Sequence, residues 1–123
     1  LLFNPQGKRV ASYDKIHLFD VNLGGKNNES YCESNTIIPE KDVVSVVTPF
    51  SNIGMSICYD LRFPELYRDL TARDIVILTM PTAFTETTDR QHWELLLRTR
   101  AVENQCFVIV VNQGGQHTSK RRT

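Results

Sequence analysis

Two apolar runs in the second half of the chain limit its fold more than any other feature. DIVILTMP (74–81) and CFVIVVNQ (106–113) are apolar without alternation, as strands covered on both faces are. Between them, HWELLLRTRAVEN (92–104) has the spacing of a helix. Just upstream, Leu61, Leu66, Leu70 and Ala72 recur at helical spacing, and Pro64 holds the helix start near itself. Strands alternating with helices in this way predict an α/β layered fold. Two helices cover one sheet face, so the other needs further chain, a second sheet or a partner.

The first half reads differently. LLF (1–3) and KRVASYD (8–14) flank NPQG, whose turn chemistry predicts a hairpin. Residues 16–41, with Gly24, Gly25, Asn27, Asn28 and Pro39, read as a long irregular connection. VVSVVTPF (43–50) and NIGMSIC (52–58) read as two strands with a tight break at Ser51-Asn52, and TAFTETTDR (82–90) as a polar loop. The chain begins LLFNPQG and stops at SKRRT just after a strand, which reads as an internal part of a longer domain.

Charge and cysteine usage narrow the function classes. The formal net charge is zero, so no nucleic-acid footprint is expected. No apolar run approaches the roughly 18 residues of a membrane span. The three cysteines, Cys32, Cys58 and Cys106, are widely spaced, with no CxxC and no cysteine–histidine zinc pattern. They read as reduced thiols, which places the protein in the cytoplasm, with mitochondria as the alternative.

One thiol stands apart. In SICYDLRFPEL (56–66), Cys58 sits where a strand passes into a helix. A helix start offers free N–H groups and the positive dipole end, which favour a thiolate and can stabilise an oxyanion. Taken alone, a cysteine ending an apolar strand is more often a small core residue.

The surroundings add a resemblance. ICYDLRFPELYR (57–68) resembles the cysteine motif of the nitrilase superfamily of carbon–nitrogen hydrolases. YDKIHLFDV (13–21) is similar to its lysine motif, CES (32–34) to its glutamate-bearing segment, and HWELLLRTRAVENQCFV (92–108) to the helix and strand that follow. SYCESNTIIPE and AFTETTDRQHWE are most similar to the Nit branch, the deaminated glutathione amidase and omega-amidase group.

The resemblance implies a four-layer αββα sandwich, incomplete at both ends, with residues 1–123 a partial hydrolase domain. It implies that Cys58 is the nucleophile, forming a thioester and expelling ammonia. Lys15 and the backbone N–H of Tyr59 form the oxyanion hole, and Glu33 orients Lys15 or substrate. Arg62, one helical turn after the nucleophile, clamps a substrate carboxylate. Phe84 and Thr88 line the pocket wall. His17 is structural, and Cys32 and Cys106 are packing thiols. Trp93 and Leu95 to Leu97 belong to a helix core or dimer surface.

The implied substrate is a small carboxylate-bearing ω-amide such as deaminated glutathione. The alternatives are omega-amidase action on α-ketoglutaramate, a non-catalytic truncated interaction module, and a redox-sensing thiol protein. No metal and no organic cofactor is implied, and the partner is a second copy, paired through the helical face. The implied general base is a glutamate several dozen residues before the lysine motif. None of Glu29, Glu33, Glu40, Glu65, Glu86, Glu94 and Glu103 stands there. The expectation is that residues 1–123 alone are inactive.

Overall fold

The computed structural model describes residues 1–24, 29–84 and 89–116. β1 (Leu2–Phe3) and β2 (Arg9–Ala11) form the expected antiparallel hairpin. Its turn is closed by Asn4, whose Oδ1 accepts the backbone N–H groups of Gln6 and Lys8. Gly7 takes φ +74°, which glycine adopts without a Cβ clash.

The segment read as an irregular connection contains a second antiparallel hairpin, β3 (Asp20–Gly24) with β4 (Glu29–Cys32). ESYC lacks the apolar alternation that marks a half-buried strand, and DVNLG alternates over only a few residues before Gly24 and Gly25, so the hairpin is hidden among turn residues. A 3₁₀ turn, Glu33–Asn35, follows at once.

The main sheet has the order β5-β6-β7-β8, formed by Ser45–Val47, Asn52–Met55, Ile77–Thr82 and Phe107–Asn112. β5 and β6 pair antiparallel; β6, β7 and β8 run parallel. Parallel neighbours need crossovers, and the two helices supply them. α1 (Pro64–Thr71) lies between β6 and β7, with Pro64 in its first turn where no N–H is needed. α2 (Glu94–Asn104) lies between β7 and β8 and is entered through a single wide π-type turn at Asp89–Trp93.

Both helices pack on one sheet face. Leu66, Tyr67 and Leu70 of α1 and Leu97 of α2 share a buried cluster with Leu78 and Met80 of β7. The architecture is the expected α/β type, and among the described residues one helical layer covers one sheet. α1 comes so close to β6 that a Cβ on Gly54 would stand 3.1 Å from Leu78 and 3.2 Å from Leu70.

The reading of 106–113 as a fully buried strand is corrected. In β8, Val108 and Val110 pack against the cluster, while Phe107, Ile109 and Val111 are exposed. β7 shows the same asymmetry more weakly: Leu78, Met80 and Thr82 are buried and Pro81 is exposed. The unbroken apolar runs therefore mark two apolar faces, of which the described residues cover one. Among the described residues, no helix is long and apolar enough to cross a membrane.

Candidate active site

Strand β6 ends at Met55, earlier than its apolar run suggests. Ser56 and Ile57 lead into a 3₁₀ turn, Cys58–Arg62, and Phe63 joins that turn to α1. Cys58 is therefore the first residue of the turn, not the last of the strand. Its φ is +49°, a left-handed conformation that L-residues adopt at a cost. Such a bend resembles the elbows that push a nucleophile out of its own backbone.

Asp60 fixes this bend. Its side chain is fully buried, at 0% exposure. Its Oδ2 accepts the N–H of Ile57 at 2.9 Å, and its own N–H donates to the Ile57 carbonyl at 3.1 Å. From the far side, Arg100 of α2, also buried, donates through Nε and Nη2 to the Leu61 carbonyl at 3.1 and 2.8 Å. Arg100 is held in turn by Glu103 at 2.6 Å and by the Tyr67 ring. Two buried charged side chains thus hold the turn that carries Cys58.

Lys15 arrives on the segment after β2. It is 7% exposed, unusual for a lysine, and its Nζ donates to Glu33 Oε2 at 2.5 Å. The same oxygen accepts the Phe19 N–H at 2.7 Å. A buried ammonium needs such a partner, because desolvation otherwise disfavours its charge. Glu33, at the start of the 3₁₀ turn after β4, meets Lys15 because the β3–β4 hairpin folds back beside it.

These groups meet in one cleft of about 480 Å³. Lys15, Glu33, Cys58 and Tyr59 line it, with Phe19 just before the second hairpin and Tyr31 and Cys32 within it. Pro81 to Phe84, after and at the end of β7, and Gln113, just past β8, close another side. The cleft thus lies at the carboxyl ends of the parallel strands, where α/β sheets generally bind ligands.

Arg62 also lines the cleft. Its guanidinium stands 5.9 Å from the centroids of both the Tyr59 and Phe84 rings, and its Nη2 donates to His92 Nδ1 at 3.2 Å. Phe84 is buried, and its N–H donates to Asn112 Oδ1. Six of the seven expected site residues, Lys15, Glu33, Cys58, Tyr59, Arg62 and Phe84, therefore share the cleft. Thr88 lies outside the described residues.

The thiols divide otherwise than expected. Cys106 is buried, as a packing thiol should be, and burial pushes its pKa up. Cys32 is exposed and lines the cleft, its Sγ 3.3 Å from Ser34 Oγ, so the reading of it as a packing thiol is corrected. The sequence reading also passed over Asp60, Tyr13 and His92. Asp60 carried one signal: it stands three residues after Ile57, the spacing at which a carboxylate returns to cap a turn. His92 and Tyr13 carried none, since their roles depend on segments brought together from afar.

Fold and cleft define an α/β protein with a thiol set at a strand-to-helix elbow, facing a lysine–glutamate pair and an arginine. The chain belongs to the carbon-nitrogen hydrolase family, whose model matches residues 1–123. A deaminated glutathione amidase from Yersinia enterocolitica is 46% identical over 123 residues, a match covering 100% of this chain and 43% of that protein. The crystal structure of the C. elegans NitFhit protein is similar with a TM-score of 0.88 at 42% identity, over 98% of this chain and 29% of that one. Saccharomyces cerevisiae Nit3, a member of branch 10 of the nitrilase superfamily, gives a TM-score of 0.82 at 32% identity, over 98% of this chain and 40% of that one. The likeness is to the Nit branch of that superfamily, and the chain spans less than half the length of these relatives.

Proposed function

We propose that residues 1–123 are the nucleophile-bearing part of an amidase domain that hydrolyses a small ω-amide carrying a carboxylate, of the deaminated glutathione type. The observation that carries this reading is the cleft shared by Cys58 and the Lys15–Glu33 pair. The 46% identity to a protein named for that activity supports it.

In this reading the Cys58 thiolate attacks the amide carbon. The carbonyl oxygen becomes an oxyanion held by the Lys15 ammonium and the Tyr59 N–H. Ammonia leaves, and water then hydrolyses the thioester. Glu33 aims Lys15 through their ion pair. Arg62, stiffened by two rings and His92, takes the substrate carboxylate at the other end, with Phe84 and Thr88 at the wall. The general base is a glutamate outside residues 1–123. Two copies pair through the helical face, for which exposed Leu95 and Val102 on α2 offer apolar surface.

The test is made on the intact protein that contains this chain. With deaminated glutathione as substrate, it releases ammonia, and rapid quench followed by intact-mass measurement finds an acyl adduct on Cys58. Cys58→Ala abolishes both. Turnover surviving in Cys58→Ala, or an adduct on Cys32 instead, overturns the reading. A strong preference for α-ketoglutaramate in the same assay would keep the mechanism and replace the substrate.

A further inference from the structure

The amidase reading asks for a lysine and a thiol held at a fixed separation, yet they lie 43 residues apart on unrelated segments. We infer that Asp60 is the positioning residue that sets that separation, with Tyr13 and His17 as the arms through which it acts on Lys15. This inference rests on the reading of Cys58 and Lys15 given above.

The geometry is specific. Asp60 Oδ1 accepts the His17 backbone N–H at 3.0 Å and the His17 ring Nδ1 at 2.9 Å. Oδ2 accepts the Tyr13 hydroxyl at 2.7 Å and the Ile57 N–H at 2.9 Å. Tyr13 and His17 stand two residues to either side of Lys15, and Ile57 directly precedes Cys58. One carboxylate therefore grips both flanks of the lysine and brackets the nucleophile.

An ionised carboxylate offers about four acceptor sites, and all four here meet donors. Every acceptor position of the Asp60 carboxylate is thus engaged by the segments that carry Lys15 and Cys58. The arms are themselves braced. The Tyr13 hydroxyl accepts the Ile16 N–H at 3.3 Å, and the His17 ring stacks on Phe63 with centroids 3.7 Å apart. Burial, followed by the Asp60 bond and charge, holds the Tyr13 phenol well above the usual tyrosine range, so it remains a donor.

Asp60 has no exposed surface and does not line the cleft, so substrate does not touch it. Its influence reaches the reaction only through where it places Lys15 and Cys58. An ångström of misplacement in such a pair costs on the order of 100-fold in rate. Losing it should therefore lower kcat alike for every amide and leave KM nearly unchanged.

The experiment measures kcat and KM on the intact enzyme with an acidic ω-amide and with propionamide. Tyr13→Phe and His17→Ala should each lower kcat about tenfold on both substrates, and Asp60→Asn about 100-fold. The double variant Tyr13→Phe/His17→Ala should lose less than the product of the single losses, because both arms share one carboxylate. His17→Asn, which restores a donor near the Nδ1 position, should recover most of kcat. If Asp60→Asn does not fold, the arm variants carry the test. Folded arm variants with wild-type kcat and only a lower urea midpoint overturn the inference. Cys58→Ala and Lys15→Ala run beside them. If those two are dead while the arm variants are normal, only the positioning inference falls. If those two remain active, the amidase reading falls and takes this inference with it.

Discussion

Arg62 shows how much one side chain can be prepared before a ligand arrives. Two aromatic rings and a histidine nitrogen surround its guanidinium, so little rotamer freedom is left to lose on binding a carboxylate. Lysine carries the charge without the planar fork. Arg62→Lys is therefore expected to cost about 1.5–3 kcal/mol in kcat/KM for an acidic ω-amide, roughly 10- to 100-fold. Propionamide should lose far less, and equal losses on the two substrates would mark Arg62 as structural. At this scale the sequence was informative where a motif kept residues together, as for Cys58, Tyr59 and Arg62. The expected roles of Tyr59, Arg62, Lys15 and Glu33 all came from the family resemblance, and a lone lysine in a polar stretch otherwise reads as solvated. His92 was invisible, because only the π-type turn before α2 brings it to Arg62.

Between elements, α1 and β7 crowd closely on β6 at Gly54. Gly54 leaves room for Leu70 and Leu78, and a methyl group there would meet them at 3.1–3.2 Å. Those leucines belong to a filled core and have little space to retreat into. Gly54→Ala is expected to destabilise the protein by about 1–3 kcal/mol, read as a lower urea midpoint at unchanged slope. Gly54 lies in β6, the strand that leads to Cys58, so a displacement there should lower kcat as well. The helices were legible from their apolar spacing and the parallel strands from their unbroken apolar runs. The β3–β4 hairpin was not, because its strands are short and lie among turn residues. It nonetheless brings Glu33 to Lys15, so the least legible element supplies half of the buried ion pair.

For the molecule as a whole, two buried phenols set an alkaline limit. Burial, with the nearby Asp60 charge adding to it, raises the pKa values of both Tyr13 and Tyr67. An unfolded tyrosine titrates near 10. With the folded values above the unfolded one, the native state binds more protons in this range. The stabilisation is complete below about pH 10 and is lost as pH rises from there towards the folded values. Urea midpoints taken from pH 8 to 11 should fall steeply above pH 10, and Tyr67→Phe should flatten the fall. A flat profile in the parent protein would contradict it. What the sequence could not reveal at this scale is which apolar face the chain covers, since residues 107–111 are apolar on both.

The cleft's place at the carboxyl ends of β6, β7 and β8 has an evolutionary consequence. The Cys58 turn and the Lys15 segment are held by buried side chains from two directions. Phe84 and Gln113 instead lie just beyond strand ends, at the rim of the cleft. Exchanges or insertions there leave the strand register untouched. Sequence change in this scaffold should therefore be tolerated more readily in these rim segments than at the elbow that carries Cys58.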